Sequence, residues 1–413
     1  MTLLPRKAWL ALALLIPVHA SVRAEDTADS MFEFQGYGTL GIVHSSEDEA
    51  DFFGSFLLEN GAGHTRAWSP EVDSRIAGQL TATLSSRLSA VVQVIAEQQA
   101  DGDYTPHVEW ANVEYQLTPD ASIRVGRTVL PSFMVSDYRK VGFANPWVRP
   151  PSDVYKLVPV TTNDGADFNY RVDIAGVRTS LQGTYGQSDT DVPEGGTVKA
   201  RDAWGLAITF ERGPASIRLA YQQTDLYVDS FDVLLDAFRQ FGPEGVAIAT
   251  RYEVDGEVFR FMSLGAHYDP GDWFVMAEWG ASDASSAIRD QVGWYVSGGY
   301  RLGALTPYVV YSSVDVDGKT TDPGLTVSAY PPPLDGIAAG LNAALDMVLA
   351  RGSVQDTVAA GVRWDLRKNF ALKVQYDYSD IGANSAGILG NLQPGFETGG
   401  SYQLISASLD FVF

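Results

Sequence analysis

Cysteine is absent from all 413 residues, which removes disulfide stapling, thiolate nucleophiles and cysteine–zinc sites at once. Beyond the first two dozen residues no run of about 18 apolar residues occurs, so a bundle of membrane-spanning helices is excluded. Basic residues are scarce. Lys and Arg number 29 against 51 Asp and Glu, a formal net charge of −22 that argues against nucleic acid as a partner. Five histidines, one near the start and the others at His44, His64, His107 and His267, are too scattered to assemble a Ser/His/Asp cluster.

What is present begins with an export signal. Arg6 and Lys7 precede the apolar stretch Ala8-Trp-Leu-Ala-Leu-Ala-Leu-Leu-Ile-Pro-Val18, and Val22-Arg-Ala24 offers a cleavage site, with Val18-His-Ala20 as a competing one. Residues 1–24 are therefore expected to leave, and 25–413 to form a single domain. Losing Arg6, Lys7 and Arg23 takes the net charge from −22 to −25. An exported chain this long without disulfides must satisfy its backbone by other means, and a closed sheet does so completely.

From Glu33 onward the rhythm is period two. Phe34, Gly36, Gly38, Leu40 and Ile42 share one face, with Gln35, Tyr37, Thr39 and Gly41 on the other; similar alternation recurs at 75–84, 177–185, 204–210, 217–221, 292–300, 358–366 and 370–378. The second face carries Ser, Thr, Gln, Gly and scattered Arg rather than the Lys and Glu of a bulk-water surface. Segments of about ten residues with one apolar face fit strands that meet lipid outside and a watery lumen inside.

The connections alternate in length. Short turns are read at Ser85-Ser86, Thr118-Pro-Asp120, Val172-Asp173, Arg212-Gly-Pro214, Asp269-Pro-Gly-Asp272, Leu302-Gly303 and Leu366-Arg-Lys-Asn369. Longer connections fall near 44–71, 98–106, 128–165, 188–200, 226–256, 282–290, 315–352 and 382–400. Together they predict an all-β transmembrane antiparallel barrel of about 16 strands. Two loops carry helical spacing, at 230–241 and 334–349. Trp204, Trp273, Trp279, Trp294 and Trp364 near strand ends suit aromatic girdles.

The third long connection, 128–165, has no strand rhythm but many specific side chains, among them Asn145-Pro-Trp-Val-Arg-Pro-Pro151. A loop of this length is functional or disordered, and its aromatics and prolines argue for order. It is expected to fold into the barrel mouth and narrow the pore.

With the leader, Phe34-Gln-Gly-Tyr-Gly-Thr-Leu-Gly41 opening the first strand, Ile123-Arg-Val-Gly-Arg127 leading into the third loop, and a final strand ending at Phe413, the chain resembles a Gram-negative outer-membrane porin of the sixteen-stranded, usually trimeric superfamily. The resemblance implies a water-filled channel for passive diffusion of small hydrophilic solutes and ions, a homotrimer, contacts with lipid and lipopolysaccharide, and recognition of Phe413 by the outer-membrane assembly machinery. It also implies basic wall residues facing an acidic loop across the narrowest section. The loop lacks the Pro-Glu-Phe-Gly-Gly style tip of enterobacterial porins, so their pore size and ion preference do not transfer.

Alternation places Arg75, Arg124, Arg178, Arg218 and Arg363 on inward faces, and Asp137, Asp153 and Asp164 are the candidate opposing charges. Arg75 and Arg124 are expected at the narrowest point with Asp137 and Asp153 opposite. Arg139, Lys140, Arg149 and Lys156 make the loop mixed in sign, so ion preference is not readable from it.

Other motifs have blander accounts. Gly36-Tyr-Gly-Thr-Leu-Gly41 matches G-x-G-x-x-G but lies inside a strand, with no helix after it. Glu47-Asp-Glu-Ala-Asp51 is read as a solvated loop rather than a cation site shared with lipopolysaccharide. His107-Val-Glu109 lacks the i, i+4 spacing of a helical zinc site, and no cofactor or metal is expected. A channel specific for an anionic metabolite or phosphate is the alternative reading, and an outer-membrane hydrolase a third with no catalytic cluster behind it.

Overall fold

Alternation along each strand decides which side chains meet the lumen. In the first strand Tyr37 and Thr39 are buried inside while Phe34 and Leu40 are exposed outside; in the last, Tyr402, Leu404, Ser406, Ser408 and Asp410 point inward and Ile405 outward. The structure is a computed structural model and describes residues 31–413 except 56, 159, 194–195, 285–286, 318–320 and 351. The expected leader at 1–24 lies outside the described residues.

Sixteen strands of nine or more residues form one closed antiparallel sheet. They are β1 (Phe32–Ser45), β2 (Arg75–Ser85), β3 (Leu88–Glu97), β4 (His107–Thr118), β5 (Ala121–Val129), β6 (Thr162–Ile174), β7 (Val177–Val192) and β8 (Gly196–Arg212). The second half comprises β9 (Ala215–Val228), β10 (Val254–Tyr268), β11 (Trp273–Asp283), β12 (Asp290–Tyr300), β13 (Leu305–Asp317), β14 (Gln355–Arg367), β15 (Phe370–Ile381) and β16 (Gly400–Val412). Each pairs with its sequence neighbour, and β1 closes on β16 with Leu40 opposite Leu409. Closure removes the edge that lipid would leave unsatisfied. The seam is finished by the terminus itself, where Gly36 and Phe413 exchange backbone hydrogen bonds of 2.9 Å in both directions.

The glycines of β1 follow from that seam. A Cβ on Gly36 would collide with the Phe413 ring, and one on Gly38 with the Phe411 ring. The G-x-G-x-x-G match is therefore a packing surface for the terminal aromatics. The five tryptophans named above are all partly exposed, Trp364 the most, and several pair with tyrosines on the next strand, such as Trp294 with Tyr311.

Two readings of the connections change. Residues 188–200 are not a long loop, because β7 and β8 continue their ladder to Val192 opposite Gly196. The β6–β7 turn lies at Ala175-Gly176, both with positive φ, rather than at Val172-Asp173, which are paired within the ladder. In the fifth and seventh loops lie α2 (Asp232–Arg239), α3 (Gly242–Tyr252) and α4 (Leu334–Ala350). Leu235, Phe238, Ile248, Leu345 and Leu349 bury one another in a cap of their own. The first and eighth loops are stitched by a small sheet of Asp51–Phe52, Ala62–Gly63 and Leu389–Gly390.

Residues 130–161 fold inward and include the single-turn helix α1 (Ser152–Tyr155). The segment is fastened on several sides of the barrel. Trp147 is fully buried and donates its indole N–H to Ser297 Oγ at 2.8 Å. Lys373 Nζ reaches Gly142 O at 2.6 Å and Trp147 O at 2.7 Å while pairing with Asp410 at 2.9 Å. Glu278 accepts hydrogen bonds from Met134 N at 2.7 Å and Tyr295 Oη at 2.7 Å, and from Tyr155 Oη. These buried carboxylate and ammonium groups are tolerable because each is hydrogen-bonded in full view of an opposite charge or several donors.

Candidate functional site

The inward loop divides the lumen. On the side of the long loops lies a cavity of about 830 Å³, and on the side of the termini one of about 530 Å³. Glu109, Arg139 and Lys140 line both, which makes them the section where the two spaces meet. Arg139 and Lys140 come from the loop, just after a 3-10 turn at Ser136–Tyr138. Glu109 comes from β4, where the ladder with β3 shifts between Gln93 and Val94. The residue left over between the partners Val108 and Trp110 is Glu109 itself. A bulge re-aims a side chain, and here it turns the carboxylate to the lumen.

Around this point charge alternates. Lys140 Nζ sits 2.6 Å from Glu97 Oε1 and 2.8 Å from Glu109 Oε2. Arg75 Nη1 lies 3.7 Å from Glu97 Oε2, and Arg139 donates to Thr161 Oγ1. Burial depresses the Arg139 guanidinium below its usual basicity, with Glu109 and Glu97 opposing that shift. Loop cations thus face wall carboxylates across the constriction.

Sequence and structure comparisons bear on what such a barrel is. The Gram-negative porin family profile matches residues 10–384. The chain belongs to that family. It is a channel protein of the outer membrane. Solved structures share the fold at low identity. The anion-selective porin from Comamonas acidovorans is 13% identical, covers 92% of this chain and 99% of its own, with TM-score 0.53. Salmonella typhi OmpF, solved with daunomycin, is 13% identical over 92% of this chain and 97% of its own, at 0.55. The outer membrane channel DcaP of Acinetobacter baumannii is 12% identical over 92% and 97%, at 0.50. No curated protein sequence gives a significant match.

The charges singled out in the porin's sequence are distributed more locally than a simple wall-against-loop field. Arg75, Arg139 and Lys140 do come together, along the larger cavity. Arg124 instead binds Asp167 on β6 at 3.0 Å, with Asp167 fully buried. Arg178 stands beside the Ala175-Gly176 turn, exposed, 3.9 Å from Asp173. Arg218 donates to Thr209 Oγ1 at 3.0 Å and to Pro131 O at 3.3 Å, so it props the start of the loop. Arg363 donates to Phe143 O at 2.6 Å and Asn145 O at 3.0 Å, another prop.

Among the acids, Asp137 is exposed on the loop and lines the smaller cavity. Asp153 is not across from Arg75 or Arg124. It is buried against the wall, accepting from Gln355 Nε2 at 2.9 Å and from Ser312 Oγ, and burial raises its acid pKa despite those bonds. Asp164 is in β6, forked by Arg127 at 2.7 Å twice. Arg149 turns away from the constriction onto Asp73.

Glu97, His107 and Glu109 line the same cavity and were left unassigned by the sequence pattern. In a strand, positions i and i+2 share a face, so His107-Val-Glu109 carried the signal at strand spacing rather than helix spacing.

Proposed function

We propose that this porin conducts small hydrophilic solutes and ions passively through a water-filled lumen, with the loop 130–161 as its constriction and Glu97, Glu109, Arg75, Arg139 and Lys140 as the charges that filter traffic. One observation carries the reading: two lumenal cavities meet at Glu109, Arg139 and Lys140. The activity is transport down a gradient, not turnover. Opposite signs interleaved at the narrowest section favour weak ion preference, since each cation there has a carboxylate close by.

The same reading takes residues 1–24 as a leader, 25–413 as one barrel domain assembled through the Phe413 strand, and the working unit as a homotrimer among lipid and lipopolysaccharide. A ladder of free cations for an anionic metabolite or phosphate has less support, because Lys140 is held between two glutamates and Arg149 is forked to Asp73. Swelling of liposomes loaded with the purified protein tests the proposal. Swelling rates that fall smoothly with solute size support passive diffusion; rates set by one anionic solute's identity, or no swelling, contradict it.

A further inference from the structure

Glu97, His107 and Glu109 bring one imidazole and two carboxylates to a single point of the lumen. Their ligand atoms all lie within 4.8 Å of one another. His107 Nε2 is 3.9 Å from Glu97 Oε1 and 3.8 Å from Glu109 Oε2, too far for hydrogen bonds. What holds the two carboxylates together is the Lys140 ammonium, at 2.6 Å from one and 2.8 Å from the other. The seat is therefore built for a cation and filled by a tethered one.

We propose that this cluster is a divalent transition-metal site, of the zinc class, in which the metal competes with the Lys140 ammonium for the same seat and so regulates the constriction. Zinc accepts both imidazole nitrogen and carboxylate oxygen, and open sites pair three protein ligands with a water in the fourth position, which the lumen supplies. Magnesium and calcium prefer all-oxygen shells of six or more ligands, so the imidazole favours zinc over either. Zinc–nitrogen and zinc–oxygen bonds of about 2.0–2.2 Å require the three groups to close slightly on the centre. The buried Nδ1 of His107 makes no hydrogen bond among the described residues, so no such bond holds the ring against that shift.

Two consequences follow from charge. A dication replaces a monocation in the seat, and the displaced Lys140 swings into the larger cavity, which has room for it. The constriction becomes more positive, so cation passage drops and anion preference rises. No other part of the wall need move.

Calorimetry with ZnCl2 on the detergent-solubilised full barrel tests binding without requiring conduction; the effect on current rests on the pore reading above. The expected result is one zinc per chain, with Mg2+ giving no comparable heat. His107→Gln and His107→Ala each weaken binding at least roughly 10–100-fold, as loss of even an outer-shell partner does. Lys140→Ala strengthens it by removing the competitor. In planar bilayers, zinc shifts the reversal potential of wild type toward anions, each variant being compared with its own zinc-free current. Binding with the same affinity in both His107 variants, or no binding to wild type, overturns the proposal. If the bilayers show no current but zinc binds through His107, the pore reading falls and the metal site stands.

Discussion

Arg149 on the constriction loop forks onto Asp73, which stands just before β2: Nε lies 3.0 Å from Oδ1 and Nη2 2.6 Å from Oδ2. Both side chains are nearly sealed from solvent, at 9% and 3% exposure, and Arg149 adds a 2.8 Å bond to Ser406 Oγ on β16. The pair ties the inward loop to the first loop and to the seam of the barrel together.

Breaking one half of this pair leaves a buried charge uncompensated, which costs about 3–5 kcal/mol, whereas replacing both halves with apolar groups is far milder. Asp73→Ala is expected to free the loop, seen as trypsin cleavage after Lys140 or Lys156 and as a lower temperature for loss of the heat-resistant band on gels. The double variant Asp73→Leu with Arg149→Met recovers most of the loss. Equal sensitivity of single and double variants contradicts the account.

Glu97 and Glu109 are the wall carboxylates that meet the Lys140 ammonium. Glu97→Gln with Glu109→Gln removes both carboxylates while keeping their volume, and moves the reversal potential under a salt gradient toward anion preference. Glu114→Gln on the same strand, outside both cavities, leaves it where it was. A shift of equal size in the Glu114 variant refutes the placement.

Gly142 occupies a close approach between loop and wall, where a side chain would strike Asp410 and Thr39. Thr39 Oγ1 donates to Asp410 at 2.6 Å, and Asp410 in turn holds Lys373. Gly142→Val forces that buried network apart, and losses of this kind run to several kcal/mol. The expected reading is a drop in unfolding temperature by heat-modified gel migration, with noisier single-channel currents. Gly176→Val sits in a turn with nothing near it and costs only its backbone strain, a smaller drop.

Lys156 gives a pH dependence. Burial pulls its ammonium down from 10.5 to about 7, against the attraction of Asp153, while Nζ donates to Ile388 O at 2.9 Å. Between about pH 7 and 10.5 a released loop binds a proton that the docked loop has shed, so docking strengthens as pH rises through that window. Below about 7 this group contributes no further change. Resistance of the loop to proteolysis is expected to increase from pH 7 to pH 9 in wild type, with a smaller increase in Lys156→Met. An identical pH profile in the two proteins removes Lys156 as the cause.

The barrel was legible because lipid and water impose opposite demands on alternate residues. The runs at β1 and β16 carry that pattern to the last residue, Phe413. The constriction loop was legible as a break in rhythm of the right length, and its bounds of 128–165 differ from the observed 130–161 by a few residues. Its partners were not. Arg149 meets Asp73, Asp153 meets Gln355 and Trp147 meets Ser297 across separations of 76, 202 and 150 residues. Alternation says only that a residue faces inward, and a lumen has sixteen walls on which its partner can stand. The same limit sent Arg124 to the narrowest point in the sequence reading, although the strand register gives it Asp167 directly opposite. Glu109 keeps strand spacing with His107, but the bulge sets that pair out of phase with Asn112 and Glu114 further along β4, a break that strict period two does not contain.

Arg139 and Lys140 are the loop charges at the narrowest section of the proposed open channel. Single-channel recording of wild type and Arg139→Ala/Lys140→Ala in planar bilayers, under a tenfold KCl gradient, tests it most directly. The account predicts steady ohmic steps for both, larger in the variant because two long side chains leave the constriction, with its reversal potential displaced toward cations. Steps of unchanged size and unchanged reversal potential, or no steps from the wild-type protein, would contradict it.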